Sequence, residues 1–407
     1  MQTLKGFRDF LPKKMAIRQE VANRLKTVFE KYGFAELQTP SLEYQEVLRG
    51  KYGEAAEKLM YLFEDPGGRG VGLRYDLTVP LARVIASNQN LPKPFKRYQI
   101  QPAWRAEKPQ KGRYREFTQC DIDIVGSDSP MADAEILAIT SDVLKALEFS
   151  SFRIKVNSRQ VLFSSMKKVG LPEEKWATVI QSIDKLDKKG QEGVEKELSE
   201  KGLTEKEVTA VLTEIQGAKP NDFLKEVIKN AEKMGAKNIE FSPTLSRGLD
   251  YYTGPIFETV VDKPKIGSIT GGGRYDELLS TLGGPDLPAT GTSFGLDRLA
   301  DVIEELDLWP NIAETPTAVL VTIFAPELLD ESLKIANMLR EEGINTEVYL
   351  NSSAKLDKQL KYADRKNIPW VIIIGPEEIK TDKAVLKNLA NREQKTISIN
   401  NLTNELR

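Results

Sequence analysis

Residues 98–126 read YQIQPAWRAEKPQKGRYREFTQCDIDIVG. Two strand-like runs, 98–104 and 117–125, flank a loop, so the stretch is predicted to form a hairpin. The loop concentrates cations: Arg105, Lys108, Lys111, Arg113 and Arg115. The second run alternates carboxylates with apolar residues: Asp121, Ile122, Asp123, Ile124. Side chains on a strand alternate faces, so Asp121 and Asp123 share one face. A cationic loop beside a carboxylate-bearing strand suits a substrate that is polyanionic at one end and cationic at the other.

Upstream of the hairpin, Ile17, Val21, Leu25, Val28 and Tyr32 recur at helical spacing, and Gly33 is a natural stop. Leu37-Gln38-Thr39-Pro40 reads as a short extended segment. Residues 73–79 are predicted as a strand or strand end, and 80–86 as the start of a helix. Downstream, Ile136, Ile139, Val143 and Leu147 predict a helix over 131–147.

Composition shifts after Gly170. From Pro172 to Met234 the chain is rich in lysine and glutamate, with three helical faces. Thr204 with Glu207 has the form of a capping box opening the second of them. This reads as a helical module inserted into a β-rich domain. Strand character returns at 239–241. The glycine-punctuated stretches 247–261, 268–279 and 290–306 then point to an antiparallel sheet. Two prolines in 309–316 mark a linker. Beyond it, strands at 318–324, 346–350 and 370–374 alternate with helices, a βαβαβ unit. The expected divisions are 1–170, 171–236, 237–310 and 317–407.

Composition narrows the chemistry. The chain has 407 residues, enough for two or three domains, and no apolar run approaches a membrane span of about 20 residues. The first residues lack the apolar core of a secretion signal, and Cys120 is the one cysteine, so a reducing cytoplasm is expected. There is no histidine. That removes histidine general bases and, with a single cysteine, the usual zinc sites. No protein-only metal site is expected. Arg, Lys, Asp, Glu, Tyr, Gln and backbone groups remain, with Mg²⁺ as a possible helper, and they suit phosphoryl or nucleotidyl chemistry. The net charge of −2 gives no global attraction to nucleic acid, so any such binding needs local patches.

Several constellations stand out. Arg105, Glu107, Arg113 and Phe117 surround the loop; an arginine there can clamp a phosphate and Phe117 can offer a stacking face. Arg247-Gly248-Leu249-Asp250-Tyr251-Tyr252-Thr253-Gly254 reads either as a tight turn with a structural Arg–Asp pair or as a site segment. Gly271-Gly272-Gly273-Arg274-Tyr275-Asp276 lacks the Lys-Ser/Thr of a phosphate loop and reads as a strand requiring close backbone approach. Arg298 follows Phe294-Gly295 on a predicted helix. Cys120 has no base nearby and reads as a small strand residue.

Together these stretches resemble the class II aminoacyl-tRNA synthetases. Pro40 with its preceding helix is similar to motif 1, which builds the dimer interface. Residues 98–126 resemble motif 2, and 290–299 motif 3. RGLDYYTG and GGGRYD resemble two segments peculiar to the histidyl-tRNA synthetase family. The resemblance covers essentially the whole chain. It implies an α+β architecture: an antiparallel β-sheet catalytic domain flanked by helices, an inserted helical module and a C-terminal α/β anticodon-binding domain.

The resemblance also implies an activity. Histidine and ATP would form histidyl-adenylate, and the acyl group would pass to the terminal adenosine 3′-hydroxyl of tRNA(His). Arg105 would hold the α-phosphate and the substrate carboxylate. Glu107, Arg113, Phe117 and Arg298 would position ATP, and Arg247 would stabilise the reacting α-phosphate. Asp76, Thr78 and Gln119 would receive the substrate α-amino group, and Asp123 with Tyr252 the imidazole, with Tyr251 lining the pocket. Gln110 and Lys111 would contact the tRNA acceptor end. The family implies a homodimer and Mg²⁺ carried with ATP.

Arg74-Tyr75-Asp76-Leu77-Thr78 stands where many bacterial members carry Arg-Pro-Glu-Gly-Thr. Asp123 stands where many carry glutamate. Both aspartates resemble the subgroup that includes the eukaryotic enzymes. The rival reading is a catalytically inactive, synthetase-like regulatory subunit of ATP phosphoribosyltransferase. Such paralogues usually lose the arginines and the C-terminal domain that this chain has.

Overall fold

Ten consecutive residue pairs join Phe95–Trp104 to Glu116–Val125 in an antiparallel hairpin, slightly longer than the predicted one. The computed structural model describes residues 1–49, 54–247, 251–264, 266–282 and 284–407. The chain divides into two compact units: residues 1–9 with 18–309, and residues 10–17 with 310–407.

The hairpin sits within an eight-stranded sheet. Its strands run in the order Ala35–Glu36, Phe95–Trp104, Glu116–Val125, Ala289–Gly295, Thr270–Arg274, Pro255–Val260, Arg153–Ser158, Ile239–Phe241. The six central strands pair antiparallel, as predicted. The two edge strands join in parallel. Parallel pairing needs a long crossover, and here the chain between each pair runs through residues 37–94 and 159–238.

Alternation along Glu116–Val125 separates core from site. Cys120, Ile122 and Ile124 are buried on one face. Phe29, on the helix Pro12–Lys31, packs its ring there, 5.7 Å from Tyr98 and 5.6 Å from Phe294. Gln119, Asp121 and Asp123 point to the opposite face.

The predicted strand over 73–79 is corrected. The strand Gly70–Leu73 ends at the first residue of that stretch, as the strand-end alternative allowed, and belongs to a separate three-stranded sheet with Leu42–Tyr44 and Leu62–Glu64. The helix begins at Thr78, ahead of Pro80, because Asp76 Oδ1 accepts from the backbone N–H of Thr78 at 3.0 Å and Val79 at 3.1 Å. A side chain that satisfies early amide donors starts a helix, and proline is tolerated in its first turn.

The helices Trp176–Ile183, Leu186–Glu200 and Glu205–Gln216 share an apolar cluster with Arg159–Lys168, through Met166, Val179, Val194 and Val211. The Thr204–Glu207 capping box forms as predicted. Asp222–Lys233 packs instead on Pro130–Ala146, and just past its end Lys145 Nζ donates to Gly235 O at 3.1 Å.

The C-terminal unit has a five-stranded sheet in the order Thr346–Val348, Val319–Val321, Trp370–Ile373, Lys383–Asn388, Gln394–Ser398. The first three strands are parallel, with Leu329–Glu341 and Leu356–Arg365 in the crossovers, matching the predicted βαβαβ unit. The last two add an antiparallel hairpin that the sequence reading missed. Its strands bury only alternate small patches, such as Ala384 and Leu386, among lysines and asparagines. Among the described residues, no helix is long and apolar enough to cross a membrane.

Glycine lets the central strands close up. A Cβ at Gly272 would lie 2.5 Å from Thr292 Cα on the neighbouring strand and collide with the Gly291 carbonyl. Backbone cannot yield as a flexible side chain can. Gly272→Ala should therefore cost on the order of 1–3 kcal/mol of stability, the scale of overpacking. Thermal unfolding checks this, and an unchanged Tm would refute the close contact.

Candidate active site

One cavity of about 210 Å³ opens on the site face of the sheet. Twelve of the fourteen residues singled out from the sequence line it: Asp76, Thr78, Arg105, Glu107, Arg113, Phe117, Gln119, Asp123, Arg247, Tyr251, Tyr252 and Arg298. Gln110 and Lys111 do not. They occupy the exposed turn of the hairpin loop, where Gln110 and Arg113 exchange backbone hydrogen bonds of 3.0 and 2.9 Å. There Lys111 Nζ meets Glu305 Oε2 at 2.5 Å.

The hairpin and the start of the Thr78–Ser87 helix supply an acidic cluster. Arg97 lies directly across the strand pair from Asp123 and forms an ion pair with it at 2.7 Å, fully buried. The Tyr275 hydroxyl donates to the other oxygen of Asp123. Gly291 stands opposite Asp123 on the far side, and a Cβ there would come within 2.6 Å of the carboxyl carbon. Burial pushes Asp123 up, while Arg97 and Tyr275 pull it back.

Asp121 is held differently. Burial raises it to about 7, against the opposing pull of Arg97 and with the repulsion of Asp123 added. Gln119 Nε2 donates to Asp121 Oδ1 at 3.3 Å and to Ser293 Oγ at 2.9 Å. Tyrosines complete the wall: the Tyr251 ring lies 4.8 Å from Tyr252 and 5.9 Å from Tyr275. Burial drives the Tyr251 and Tyr275 hydroxyls well up, so both stay protonated donors.

Guanidinium groups crowd the rest of the cavity. Arg105 donates through Nε to Tyr75 O at 3.0 Å, and its Cζ lies 4.4 Å from the Tyr75 ring centre and 5.1 Å from that of Phe117. Arg113 pairs with Glu107, with Nη2 donating to Oε1 at 2.9 Å. Arg298 bridges two loops, donating to Gly112 O at 2.7 Å and Ser268 O at 2.6 Å. Burial and then the like charges of Arg113 and Arg105 push Arg298 down. Several cations confined together with one paired glutamate form an anion site.

Arg247 arrives from the other side with a left-handed backbone, φ +52°. Arg159 Nη2 donates to its carbonyl at 2.7 Å, and the preceding Ser246 donates to Ile180 O at 3.1 Å. Burial alone would lower the Arg247 guanidinium, but Tyr252, Glu258 and Asp184 raise it overall. Gly271 makes its place: a Cβ there would lie 2.5 Å from the Arg247 Cζ. Gly248, Leu249 and Asp250 lie outside the described residues, and with them the suggested Arg–Asp pair of the octapeptide.

The sequence reading missed Arg97, Tyr275, Ser293 and Asp297 as site residues. Asp297 accepts from Thr118 N at 2.7 Å and pairs with Arg18 at 2.5 Å, fixing the hairpin to the helix that carries Arg298. Tyr275 lay within the quoted GGGRYD run, and Asp297 beside Arg298. Arg97 and Ser293 had no local signal.

An antiparallel sheet with this cavity, joined to an α/β domain, has the architecture of a class II aminoacyl-tRNA synthetase. A family model for histidyl-tRNA synthetase matches residues 6–299, and one for an anticodon binding domain matches 318–407. The histidine–tRNA ligase of Aeropyrum pernix is 42% identical over 97% of this chain and 95% of its own. That of Cytophaga hutchinsonii is 39% identical over 99% and 98%. The crystal structure of histidyl-tRNA synthetase from Nostoc sp. PCC 7120 superposes with a TM-score of 0.86 at 30% identity, covering 100% of this chain and 98% of that one. The chain belongs to the histidyl-tRNA synthetase family and is a ligase.

The raised Asp121 makes stability depend on pH. Its folded value of about 7 lies above the usual carboxylate range, so the folded protein holds more protons than the unfolded chain between the two. The stability contribution is present below about pH 4 and is lost as pH rises through about 7. Asp121→Asn should therefore raise the Tm of the ligand-free protein at about pH 8, and the gain should shrink towards about pH 5. A gain independent of pH would contradict the shift.

Proposed function

We propose that the cavity ligates L-histidine to tRNA(His) in two steps, with ATP among the arginines and the amino acid among the carboxylates. The carrying observation is the segregation of charge in one cavity: Arg105, Arg113, Arg247 and Arg298 face an anion, while Asp76, Asp121 and Asp123 face a cationic or N–H-bearing ligand. In the first step a carboxylate oxygen of histidine attacks the α-phosphorus of ATP, and the bond to the bridging oxygen of pyrophosphate breaks. The nucleophile is already ionised, so no general base is needed, in keeping with a chain that has no histidine.

Arg105 holds the α-phosphate and the substrate carboxylate. Phe117 and Arg298 sandwich the adenine, Arg298 and Arg113 hold the phosphates, and Glu107 helps position ATP through its pair with Arg113. Arg247 stabilises the charge that develops on the α-phosphate. Magnesium, carried in on the ATP phosphates, would neutralise them. Glu107, which lines the cavity, would be the carboxylate to hold it, and a magnesium ion needs only one or two such ligands beside phosphate and water. Among the described residues no group of three acidic or cysteine side chains could hold a metal by itself.

Asp76, Thr78 and Gln119 receive the α-ammonium, while Asp123 and Tyr252 take the imidazole against Tyr251. Asp123 is already balanced by Arg97, so it suits the N–H of a neutral ring. In the second step the 3′-hydroxyl of the terminal adenosine attacks the anhydride carbonyl, its proton passes to a phosphate oxygen of the adenylate, and AMP leaves. Gln110 and Lys111 lie on the exposed loop turn, within reach of the acceptor end. Residues 1–170 and 237–310 form the catalytic domain, 171–236 lies over the acceptor stem, and 317–407 reads the anticodon. The protein would work in the cytoplasm, where tRNA is charged for protein synthesis.

The three-stranded sheet supports a homodimer. Register places Leu42, Tyr44 and Phe63 on one face, and they are 44%, 51% and 45% exposed. An apolar row of this kind suits a second copy.

Histidine-dependent ATP–pyrophosphate exchange tests the activity, and folded protein without exchange would overturn it. Arg247→Ala should keep histidine affinity within a few-fold while adenylate formation falls by at least about 100-fold, the scale of losing a transition-state donor. An unchanged single-turnover rate would remove that role. Phe63→Glu should shift the protein towards the monomer mass in light scattering; a wild-type monomer would end the dimer reading.

A further inference from the structure

Five carboxylates line the cavity, and four are held by cations or backbone amides. Glu107 pairs with Arg113 and Asp297 with Arg18. Asp123 has Arg97 and Tyr275. Asp76 accepts two backbone amides at the start of a helix. Asp121 has neither. It is 3% exposed, lines the cavity, and among the described residues forms no ion pair. Its hydrogen-bond donors are the Gln119 amide and the Ser293 hydroxyl.

Gln119 sharpens the point. Its NH₂ group is spent on Ser293 Oγ at 2.9 Å and Asp121 Oδ1 at 3.3 Å. The carbonyl Oε1 is buried and has no partner. Against an ionised Asp121 a flipped amide would set Oε1 towards a carboxylate, which is repulsive, so ionisation of Asp121 locks the orientation. A buried acceptor without a donor beside a buried carboxylate without a cation is costly for the empty protein. One ligand group repairs both defects: an ammonium.

We propose that Asp121 is a substrate-positioning residue, which locks Gln119 with its carbonyl oxygen towards the α-ammonium of the bound amino acid and supplies the negative charge that balances that ammonium. The assignment rests on the histidine reading above and adds to it a second carboxylate, beside Asp76, to answer the cation. It also explains why an unpaired aspartate is kept beside Asp123, where an apolar residue would relieve the burial cost.

The groups facing Asp121 are Arg97 from the paired hairpin strand, Asp123 and Gln119 from its own strand, Ser293 from the other neighbour, and Asp76 from the helix start. Its carboxyl titrates near neutrality in the empty site, so an arriving ammonium drives it to the ionised form. Binding of an α-amino acid near pH 7 then releases a proton that an otherwise identical ligand without the ammonium does not.

The test compares L-histidine with β-imidazolelactate, in which a hydroxyl replaces the ammonium. Calorimetry on the wild-type protein, in two buffers of different ionisation enthalpy near neutral pH, should show proton release for histidine in excess of that for imidazolelactate. Equal release would overturn the proposal without any variant. Asp121→Asn keeps an acceptor for Gln119 and removes the charge. It should raise the KM for histidine by about 10- to 100-fold with kcat little changed, the scale of a charge-assisted hydrogen bond made in both ground and transition states. Imidazolelactate and ATP should bind within about threefold of wild type. Equal weakening of both imidazole ligands would mark a merely structural residue. Exchange activity intact in the wild type together with an unaltered histidine KM in Asp121→Asn would sink this assignment alone. No histidine binding to wild type would take down the histidine reading and this assignment with it.

Discussion

The strand Glu116–Val125 is hydrogen-bonded on both sides, to Phe95–Trp104 and to Ala289–Gly295, and so cannot shift its register. Everything at the site follows from that confinement. A slip of one residue would carry Asp121 and Asp123 into the apolar core and bring Cys120 and Ile122 to the cavity. The neighbouring strands have the volumes this register demands. Gly291 leaves room for the Asp123 carboxylate, and Gly271 for the Arg247 guanidinium. Glycine at these places shapes a cavity; it is not there to fold a phosphate loop.

Charge is the second constraint. Five carboxylates share one cavity, and the protein tolerates them by separate means: Arg113 for Glu107, Arg18 for Asp297, Arg97 and Tyr275 for Asp123, backbone amides for Asp76, a shift towards the protonated form for Asp121. The arginines are handled similarly. Arg113 has Glu107, while Arg105 and Arg298 spend N–H groups on backbone carbonyls. Crowding like charges in one cavity costs stability. Sites built for function commonly give up stability in this way.

Much of the architecture could be read from the chain. The hairpin, the first helix, the Thr204–Glu207 cap and the C-terminal βαβαβ unit all rest on local patterns that survive packing. Where reading failed, a local cap, shallow burial or a tertiary contact had overruled or hidden the pattern. Asp76 pulled the helix start ahead of Pro80. The strands Lys383–Asn388 and Gln394–Ser398 bury too little to show an apolar run. Asp222–Lys233 has the same amphipathic form as its neighbours, and periodicity cannot say which surface its apolar stripe will meet.

The same division holds at the site. Residue chemistry and alternation were sufficient to put Asp121 and Asp123 on one face, to collect the arginines, and to exclude histidine-based catalysis. Those conclusions depend on what a side chain is and on its position modulo two along a strand. The tertiary structure alone decided that Arg97 neutralises Asp123, that Tyr275 adds its hydroxyl from 152 residues away, and that Ser293 and Asp121 orient Gln119. Ion pairing, desolvation and amide orientation depend on distance through space. Two carboxylates two residues apart look alike in the chain, yet one is ion-paired with Arg97 and the other is held by an amide and a hydroxyl.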